Sequence, residues 1–298
     1  MSAAEAPRLS VPSDFWDHWG DGKGELNGYS LTQPRYGTPR SGTSVMIFVT
    51  EPFLDGPKVK DDGGKGDYQV MKLNWIKDFQ TGIYDYNTMT SIFMPLKAFG
   101  GRPLGTPGKI TFSSQEWCGS LFSTLEFGAK GVERRLLSYF EGESVEDTLP
   151  LPEGGISQDT FPILARGLLG ELVEVGETRS VQVLPALFDT RMEHSRLAWA
   201  DGTIQREAAT PFNTPAGAFS AETWILQSQG ESMTVRVEAS APHRIVGWST
   251  SKGEEAKLLG SERLPYWRLH KEGDEAMLRV LGLGDKGGAP GSTPENSD

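Results

Sequence analysis

The sequence predicts a mainly β protein, with a large curved antiparallel sheet or incomplete barrel and one or two short helices. Three observations lead to this prediction. Apolar and polar residues alternate with a period of two in several segments, turn-forming residues separate those segments, and strands do not alternate with helices along the chain. A parallel α/β fold is therefore not expected.

Period-two alternation is clearest in residues 71–75 (MKLNW) and 233–238 (MTVRVE). Every second side chain there is apolar, which is typical of a strand with one buried face and one solvated face. Residues 45–49 (VMIFV) are apolar throughout, and a run this short indicates a strand that is covered on both faces.

Turn-forming pairs divide the C-terminal half into hairpins. Asp201-Gly202, Gln229-Gly230 and Lys252-Gly253 each stand between two strand-like segments and supply residues that tolerate a positive φ. Residues 191–260 are therefore predicted to form a meander of consecutive hairpins.

Loops and helices complete the predicted body. The polar, Gly-rich segments 54–67 and 99–108 are expected to be long loops. The best helix candidate covers residues 157–169, with Ser157 as a possible N-cap, and a weaker one covers the aromatic stretch 14–19.

One β domain is predicted over residues 14–281, between a disordered leader (1–13) and a disordered tail (282–298). Gly, Pro, Ser and charged residues dominate the tail, so it has little apolar surface to bury. The tail begins with a GxGxxG pattern at Gly282–Gly287. No helix can follow that pattern in such a composition, so a dinucleotide site is not expected.

Composition excludes several functions. A formal charge of −11, from 29 basic and 40 acidic residues, opposes nucleic-acid binding and disfavours anionic membranes. The single cysteine rules out an intramolecular disulfide, and no apolar run is long enough for a transmembrane helix. No cofactor motif fits its context, and the four histidines lack metal-ligand spacing, so neither a cofactor nor a metal is expected.

An aromatic cluster near the N-terminus is the first candidate site. Trp16 and Trp19 are predicted to stack on a ligand while His18 donates a hydrogen bond to it. In the alternative interpretation, this segment plugs one end of the barrel. The acidic residues of segment 17–25 leave an irregular calcium loop or a solvated turn as further alternatives.

The string Ser113–Gly119 (SSQEWCG) is the second candidate. If it is a strand, Trp117 lies on one face, and Glu116 and Cys118 lie on the other. Glu116 beside a thiol in the barrel interior is a candidate acid of raised pKa, although Cys118 is expected to be a small core residue. Trp117 and Glu116 are both taken as candidate ligand contacts.

Carboxylates on neighbouring strands form a third candidate. Tyr84 and Asp85 lie on opposite faces of a predicted strand and are taken as ligand contacts. Asp78, Asp85 and Glu116 would suit glycoside hydrolysis if two of them faced one cavity. Acidic residues on strands more often lie on the solvated face.

The C-terminal half resembles a known family. Residues 215–219 (PAGAF), 241–246 (APHRIV) and 253–259 (GEEAKLL) match its turn and strand signatures, best over residues 190–260. The chain is similar to an uncharacterised family of bacterial exported proteins, the domain of unknown function numbered three-one-zero-eight. The resemblance implies a curved antiparallel sheet and a periplasmic or lipoprotein-like protein. The acylated cysteine of the lipoprotein members is absent here.

These observations predict a non-catalytic protein of the bacterial cell envelope, periplasmic or associated with the outer membrane. It would bind an apolar or glycan ligand, or a partner protein, on its curved sheet, so lipid, glycan and envelope proteins are the expected partners. The alternatives are a carboxylate-based hydrolase or isomerase with its site inside the barrel, a purely structural role, and a cytoplasmic location.

Overall fold

The computed structural model describes residues 9–284 and contains one large, mainly antiparallel sheet. Strands account for 54% of the structure and helices for 11%. The sheet is barrel-like but does not close. The fold class predicted from the sequence is therefore confirmed.

The middle of the sheet is the first strand of the chain. β1 (Gly24–Arg35) pairs with β2 (Thr38–Leu54) on one side and with β16 (Glu255–Leu264) on the other. From β2, consecutive antiparallel neighbours lead to one free edge. These are β4 (Tyr68–Thr81), β5 (Tyr84–Pro95), β6 (Lys109–Glu116), β7 (Gly119–Phe127), β8 (Gly131–Ser138) and β9 (Val145–Pro150), with the short β3 (Val59–Lys60) attached to β2.

The second half of the sheet runs from β16 back to the other free edge. Its neighbours are antiparallel, as the predicted meander requires, except for one short parallel pair at the edge itself. The strands are β10 (Ile156–Ser157), β11 (Thr178–Leu184), β12 (Ala200–Thr214), β13 (Gly217–Ser228), β14 (Glu231–Glu238) and β15 (Ile245–Thr250).

The chain between the two free edges fills the concave side of the sheet. Phe161, Ile163 and Leu164 of this connection are buried in the main core. The Trp199 Nε1–H group donates to the carbonyl oxygen of Pro150 over 2.7 Å, which ties the start of β12 to the end of β9. The helices are α1 (Phe15–Trp19), α2 (Phe161–Ala165), α3 (Leu187–Glu193) and the 3₁₀ segments Gln158–Thr160, Tyr266–Arg268 and Asp274–Leu281.

None of the helices within residues 9–284 has the length and apolar composition needed to cross a membrane.

The inner side of the sheet is apolar, as the period-two segments predict. Met71, Leu73 and Trp75 of β4 point into one continuous core that also contains Val235 and Val237 of β14. The alternating residues between them are only partly buried. The predicted sidedness of the strands is therefore confirmed.

Residues 45–49 are covered on both faces, also as predicted. Met46 and Phe48 enter the main core, whereas Val45 and Ile47 pack on the convex side against the segment that includes Leu281. A Cβ atom at Gly28 or Gly260 would collide with the backbone of that segment, so glycine is required for this close approach.

Two predicted turns are confirmed and one is wrong. Gln229 and Gly230 have φ values of 53° and 81°, and Gly253 has a φ of 89°. Asp201-Gly202, in contrast, lies inside β12. A Cβ atom at Gly202 would collide with the backbone of β13 and the side chain of Val183. This glycine therefore serves close packing of neighbouring strands and not a turn.

Other predicted boundaries also differ from the structure. The helix predicted over 157–169 ends at Ala165, and Gly167 then takes a φ of 67°. Cys118 is exposed on the turn between β6 and β7, so its predicted place in the core is wrong. Leu9 and Val11 pack against the core, and Leu283 is buried, while residues 1–8 and 285–298 of the predicted leader and tail lie outside the described residues.

Candidate functional site

Two cavities lie at the two opposite ends of the strands, which are here called the front edge and the rear edge and are distinct from the free edge strands. The front edge contains the turns that join β1 to β2, β4 to β5, β6 to β7, β8 to β9, β13 to β14 and β15 to β16, together with the end of α3. The rear edge contains α1 and the connection from β14 to β15. Each cavity is lined by charged side chains as well as by apolar ones.

The cavity at the front edge, here called the Arg191 cavity, has a volume of about 570 Å³. It lies between the inner face of β6–β9 and the segment 187–198, and its size is within the range of small-molecule sites. The apolar part of its wall consists of Phe112, Leu121, Leu136, Val145, Leu149, Leu187, Leu197 and Ala198.

Arg191 is the main cationic group of this cavity. Its side chain is 3% exposed, and its guanidinium group lies 4.5 Å from the centre of the Phe140 ring. Its contacts are long, at 3.3 Å from Nη1 to His194 Nε2 and 3.5 Å from Nη2 to Glu116 Oε1. Nε has no hydrogen-bond partner within residues 9–284. A buried guanidinium group with this incomplete set of acceptors retains capacity for an anion.

His194 and Glu143 form a second polar pair in the cavity wall. Nδ1 of His194 lies 2.5 Å from Oε1 of Glu143. Burial by itself would raise the pKa of Glu143, but the hydrogen bonds from His194 and Ser138 outweigh it and lower the pKa. His194 ends α3 with a φ of 54°, a left-handed conformation that is unusual for a residue with a side chain.

Arg134 and Asp147, two further charged residues of the wall, are paired with each other. Arg134 donates from Nε to Oδ1 of Asp147 over 2.8 Å and also binds the second carboxylate oxygen. Arg196 is exposed at the border of the cavity. Arg191 is therefore the buried cation that can accept an anionic group, and the apolar wall can hold a hydrocarbon part of the same molecule.

The cavity at the rear edge, here called the His18 cavity, has a volume of about 470 Å³. Trp19 and Trp224 contribute to its wall, together with His18 and His243. Trp224 Nε1 is a buried donor without a partner among the described residues. Arg263 donates to Nε2 of His18 over 2.9 Å, so this ring nitrogen accepts a hydrogen bond.

A buried ion pair forms the floor of the His18 cavity. Arg166 donates from Nη1 and Nη2 to the two oxygens of Glu25, over 2.7 Å and 3.0 Å, and also to the carbonyl oxygens of Pro242 and His243. Burial by itself would raise the pKa of Glu25, but the charge and hydrogen bonds of Arg166 lower it to about 2. This pair joins the end of α2 to β1.

A second buried polar cluster lies deeper in the core. Lys77 donates to both oxygens of Glu254, over 2.7 Å and 2.8 Å. Asp159 and Asp189 lie beside this pair, and burial raises their pKa values to about 7 and about 6. The enclosed space between these groups is about 20 Å³. A space of this size holds a water molecule but not an organic substrate.

The predicted aromatic site is only partly assembled at the rear edge. His18 and Trp19 line the His18 cavity, whereas Trp16 is 46% exposed and does not border it. Phe15 and Trp19 are buried and close this end of the sheet, as the alternative interpretation predicted. Asp21 and Glu25, two carboxylates of the possible calcium loop, bind Arg263 and Arg166.

The other predicted residues lie near the front edge. Glu116 contacts Arg191, and Trp117 is largely exposed on the adjoining turn. Tyr84 is half-buried, and Asp85 is exposed. Asp78 and Asp85 lie on the convex face, while the side chain of Glu116 is buried on the concave side. The structure therefore does not bring the three predicted carboxylates together in one cavity.

Arg191, His194 and Glu143 are not predicted as site residues from the sequence. In a helix that covers 187–193, Arg191 and His194 come close together because they are three residues apart. This spacing is the signal in the sequence that could have found them. Glu143 comes from a turn 51 residues earlier, and no local pattern connects it to His194.

A comparison with known protein families finds no matching family model, and a comparison with curated proteins finds no significant match. The resemblance of residues 190–260 to a family of exported proteins therefore stays a prediction.

Proposed function

We propose that the protein binds an amphipathic small molecule, with a carboxylate at one end and a hydrocarbon part at the other, in the Arg191 cavity. One observation carries the proposal. A guanidinium group that is 3% exposed, and whose Nε lacks an acceptor among the described residues, lines a cavity whose wall also has an apolar part made by Phe112 and several leucines.

The carboxylate would accept hydrogen bonds from two N–H groups of Arg191, the planar fork that guanidinium groups offer to carboxylates. Glu116 and His194 hold this side chain only through long contacts, so a ligand has to displace no strong internal bond. The hydrocarbon part would lie along Phe112 and the leucines of β7–β9, where its removal from water favours binding.

The filled interior of the sheet restricts where such a ligand fits. Helix α2 and the residues after it occupy the centre of the concave side, so the ligand would bind at the front edge. Within this proposal the protein acts by binding and not by catalysis. The cell envelope stays the proposed compartment, and fractionation of the native host cells would test it.

Replacing Arg191 tests whether this residue binds the carboxylate of the ligand. In Arg191→Met/Glu116→Gln, we expect the affinity for decanoate to fall roughly 10- to 100-fold, since a hydrogen bond to a charged group is lost. Affinity for decanol should hardly change, because the apolar wall is intact. Isothermal titration calorimetry of both ligands provides the measurement, and the Glu116 change avoids an uncompensated buried carboxylate.

Two controls accompany this experiment. Glu116→Gln alone should keep or increase the affinity for decanoate, because it removes a competing acceptor from Arg191. Arg206→Met alters another partly buried arginine, in the His18 cavity, and should leave decanoate binding unchanged. Equal losses for decanoate and decanol, or a loss in Arg206→Met, would argue against the proposal.

A further inference from the structure

The four most exposed large apolar side chains of the described residues all lie on turns of the front edge. They are Tyr36, Ile83, Trp117 and Tyr139, which stand one each on the β1–β2, β4–β5, β6–β7 and β8–β9 turns, and their exposed fractions are 59%, 79%, 70% and 68%. We call these four residues the front rim. Because consecutive antiparallel hairpins return to the same edge, all four turns lie side by side.

Contacts between neighbouring turns make the front rim continuous. The hydroxyl groups of Tyr36 and Tyr86 lie 3.0 Å apart and connect the first two turns. Tyr86 is the register partner of Glu116, which precedes the third turn. The Tyr139 ring lies so close to Gly119 that a Cβ atom there would be 2.5 Å from it, and this connects the third turn to the fourth.

The apolar surface continues from the rim onto the convex face. Phe122 of β7 and Leu137 of β8 are register partners, and both are exposed. Met89 of β5 is exposed on the same face and pairs with Ser113, which in turn pairs with Phe122. If the front rim enters an apolar medium, these side chains of the adjoining convex face can therefore contact that medium as well.

Most charged side chains on or beside these four turns bind other groups of the protein. Glu116 and Glu143 bind Arg191 and His194, and Arg35 donates to Tyr86 and to the carbonyl oxygen of Met192. The exposed carboxylates of Glu141 and Asp85 remain, in a chain with a net charge of −11. The rim is thus aromatic and apolar, with a weakly acidic border.

We propose that the front rim inserts into the interfacial region of a zwitterionic lipid bilayer. Trp and Tyr combine an apolar ring with a polar group and are enriched at that depth of a membrane. The acidic border and net charge disfavour anionic lipids. The turn that bears Tyr139 continues into residues 142–145 at the wall of the Arg191 cavity. This inference stands on the exposed rim and does not require the ligand proposed above.

Cys118 provides a direct probe of insertion. It is the chain's single cysteine, and it is exposed on the turn that also bears Trp117. A nitrobenzoxadiazole dye attached to Cys118 should shift to the blue and brighten when phosphatidylcholine vesicles are added. With Trp267→Cys in a Cys118→Ser background, the same dye lies at the rear edge and should not respond.

Substitution of the rim gives the quantitative test. In flotation with phosphatidylcholine vesicles, Ile83→Ser/Trp117→Ser should lower the partition coefficient of the protein from water to the vesicles about tenfold, because two apolar side chains are lost. Trp267→Ser replaces a tryptophan that is also exposed, at the opposite edge, and should bind like the parent protein. Vesicles with added phosphatidylglycerol should bind the parent protein less at low salt.

Several results would overturn the inference. These are no dye response with phosphatidylcholine, equal losses in the rim variant and Trp267→Ser, or binding that requires anionic lipid. A dye response that depends on protein concentration without vesicles, together with dimers in analytical ultracentrifugation, would assign the rim to a second copy of the chain. Decanoate binding by Ile83→Ser/Trp117→Ser should persist, so failure here is distinguishable from failure of the ligand proposal.

Discussion

Arg166→Met should lower the free energy of unfolding by about 3–5 kcal/mol, the typical effect of removing one partner from a buried ion pair. Arg166 and Glu25 have side chains that are 0% and 1% exposed. Without the guanidinium group, the Glu25 carboxylate stays buried with no compensating charge, and the carbonyl oxygens of Pro242 and His243 lose their donors. Urea denaturation at neutral pH measures the change.

Glu25→Gln/Arg166→Met is the matched control, because it removes both charges together. We expect this double variant to be clearly more stable than Arg166→Met, since no ionised group is left buried. The parent protein should also lose stability as the pH falls from about 4.5 to about 2, because Glu25 has a lowered pKa in the folded state and must be protonated there. If Arg166→Met unfolded at the same urea concentration as the parent, this account of the ion pair would be wrong.

The second large effect is a loss of stability as the pH rises. Burial raises the pKa of Asp159 from 3.8 to about 7 in the folded protein. Between these values the folded state binds more protons than the unfolded state, so the free energy of unfolding decreases with increasing pH. The stabilisation is complete below about pH 4 and lost above about pH 7. A shift of this size corresponds to about 4 kcal/mol.

Asp159→Asn should reverse this effect. The amide resembles the protonated carboxyl group and keeps an oxygen for the Leu187 N–H, which Asp159 binds over 3.1 Å. At about pH 8 the variant should be more stable than the parent by a few kcal/mol, and the difference should shrink toward about pH 4. Denaturation midpoints measured across this range provide the test.

Asp189→Asn serves as the comparison, because burial raises the pKa of Asp189 less far, to about 6. We expect a smaller gain in the same direction, developed between about pH 4 and pH 6. A destabilised Asp159→Asn protein at about pH 8 would show that the folded state depends on the ionised carboxylate, which is the opposite of the predicted effect.

The sheet was predictable because its strands repeat one simple pattern. Residues 71–75 and 233–238 alternate strictly, and the inner side of each enters the same core. Residues 45–49 were recognised as covered on both faces from their composition alone. Gly202 was misassigned because a glycine required for close packing within a sheet looks the same in sequence as a glycine in a turn.

The candidate site was much less predictable, because its contacts join distant parts of the chain. Arg166 is 141 residues from Glu25, and Arg191 is 75 residues from Glu116. The neighbours of Glu116 in sequence mark it as a candidate, but they do not reveal Arg191, the cation beside it, which comes from α3. The sequence predicts Trp117 as a ligand contact, whereas the structure places it, largely exposed, on the turn between β6 and β7.

Whether a carboxylate binds Arg191 is tested most directly by a crystal structure of the protein with decanoate. We expect electron density in the Arg191 cavity, with the carboxylate at hydrogen-bond distance from two nitrogen atoms of Arg191 and the alkyl chain against Phe112 and Leu121. Decanoate bound elsewhere, or an Arg191 cavity that stays free of it at saturating concentration, would contradict the proposed function.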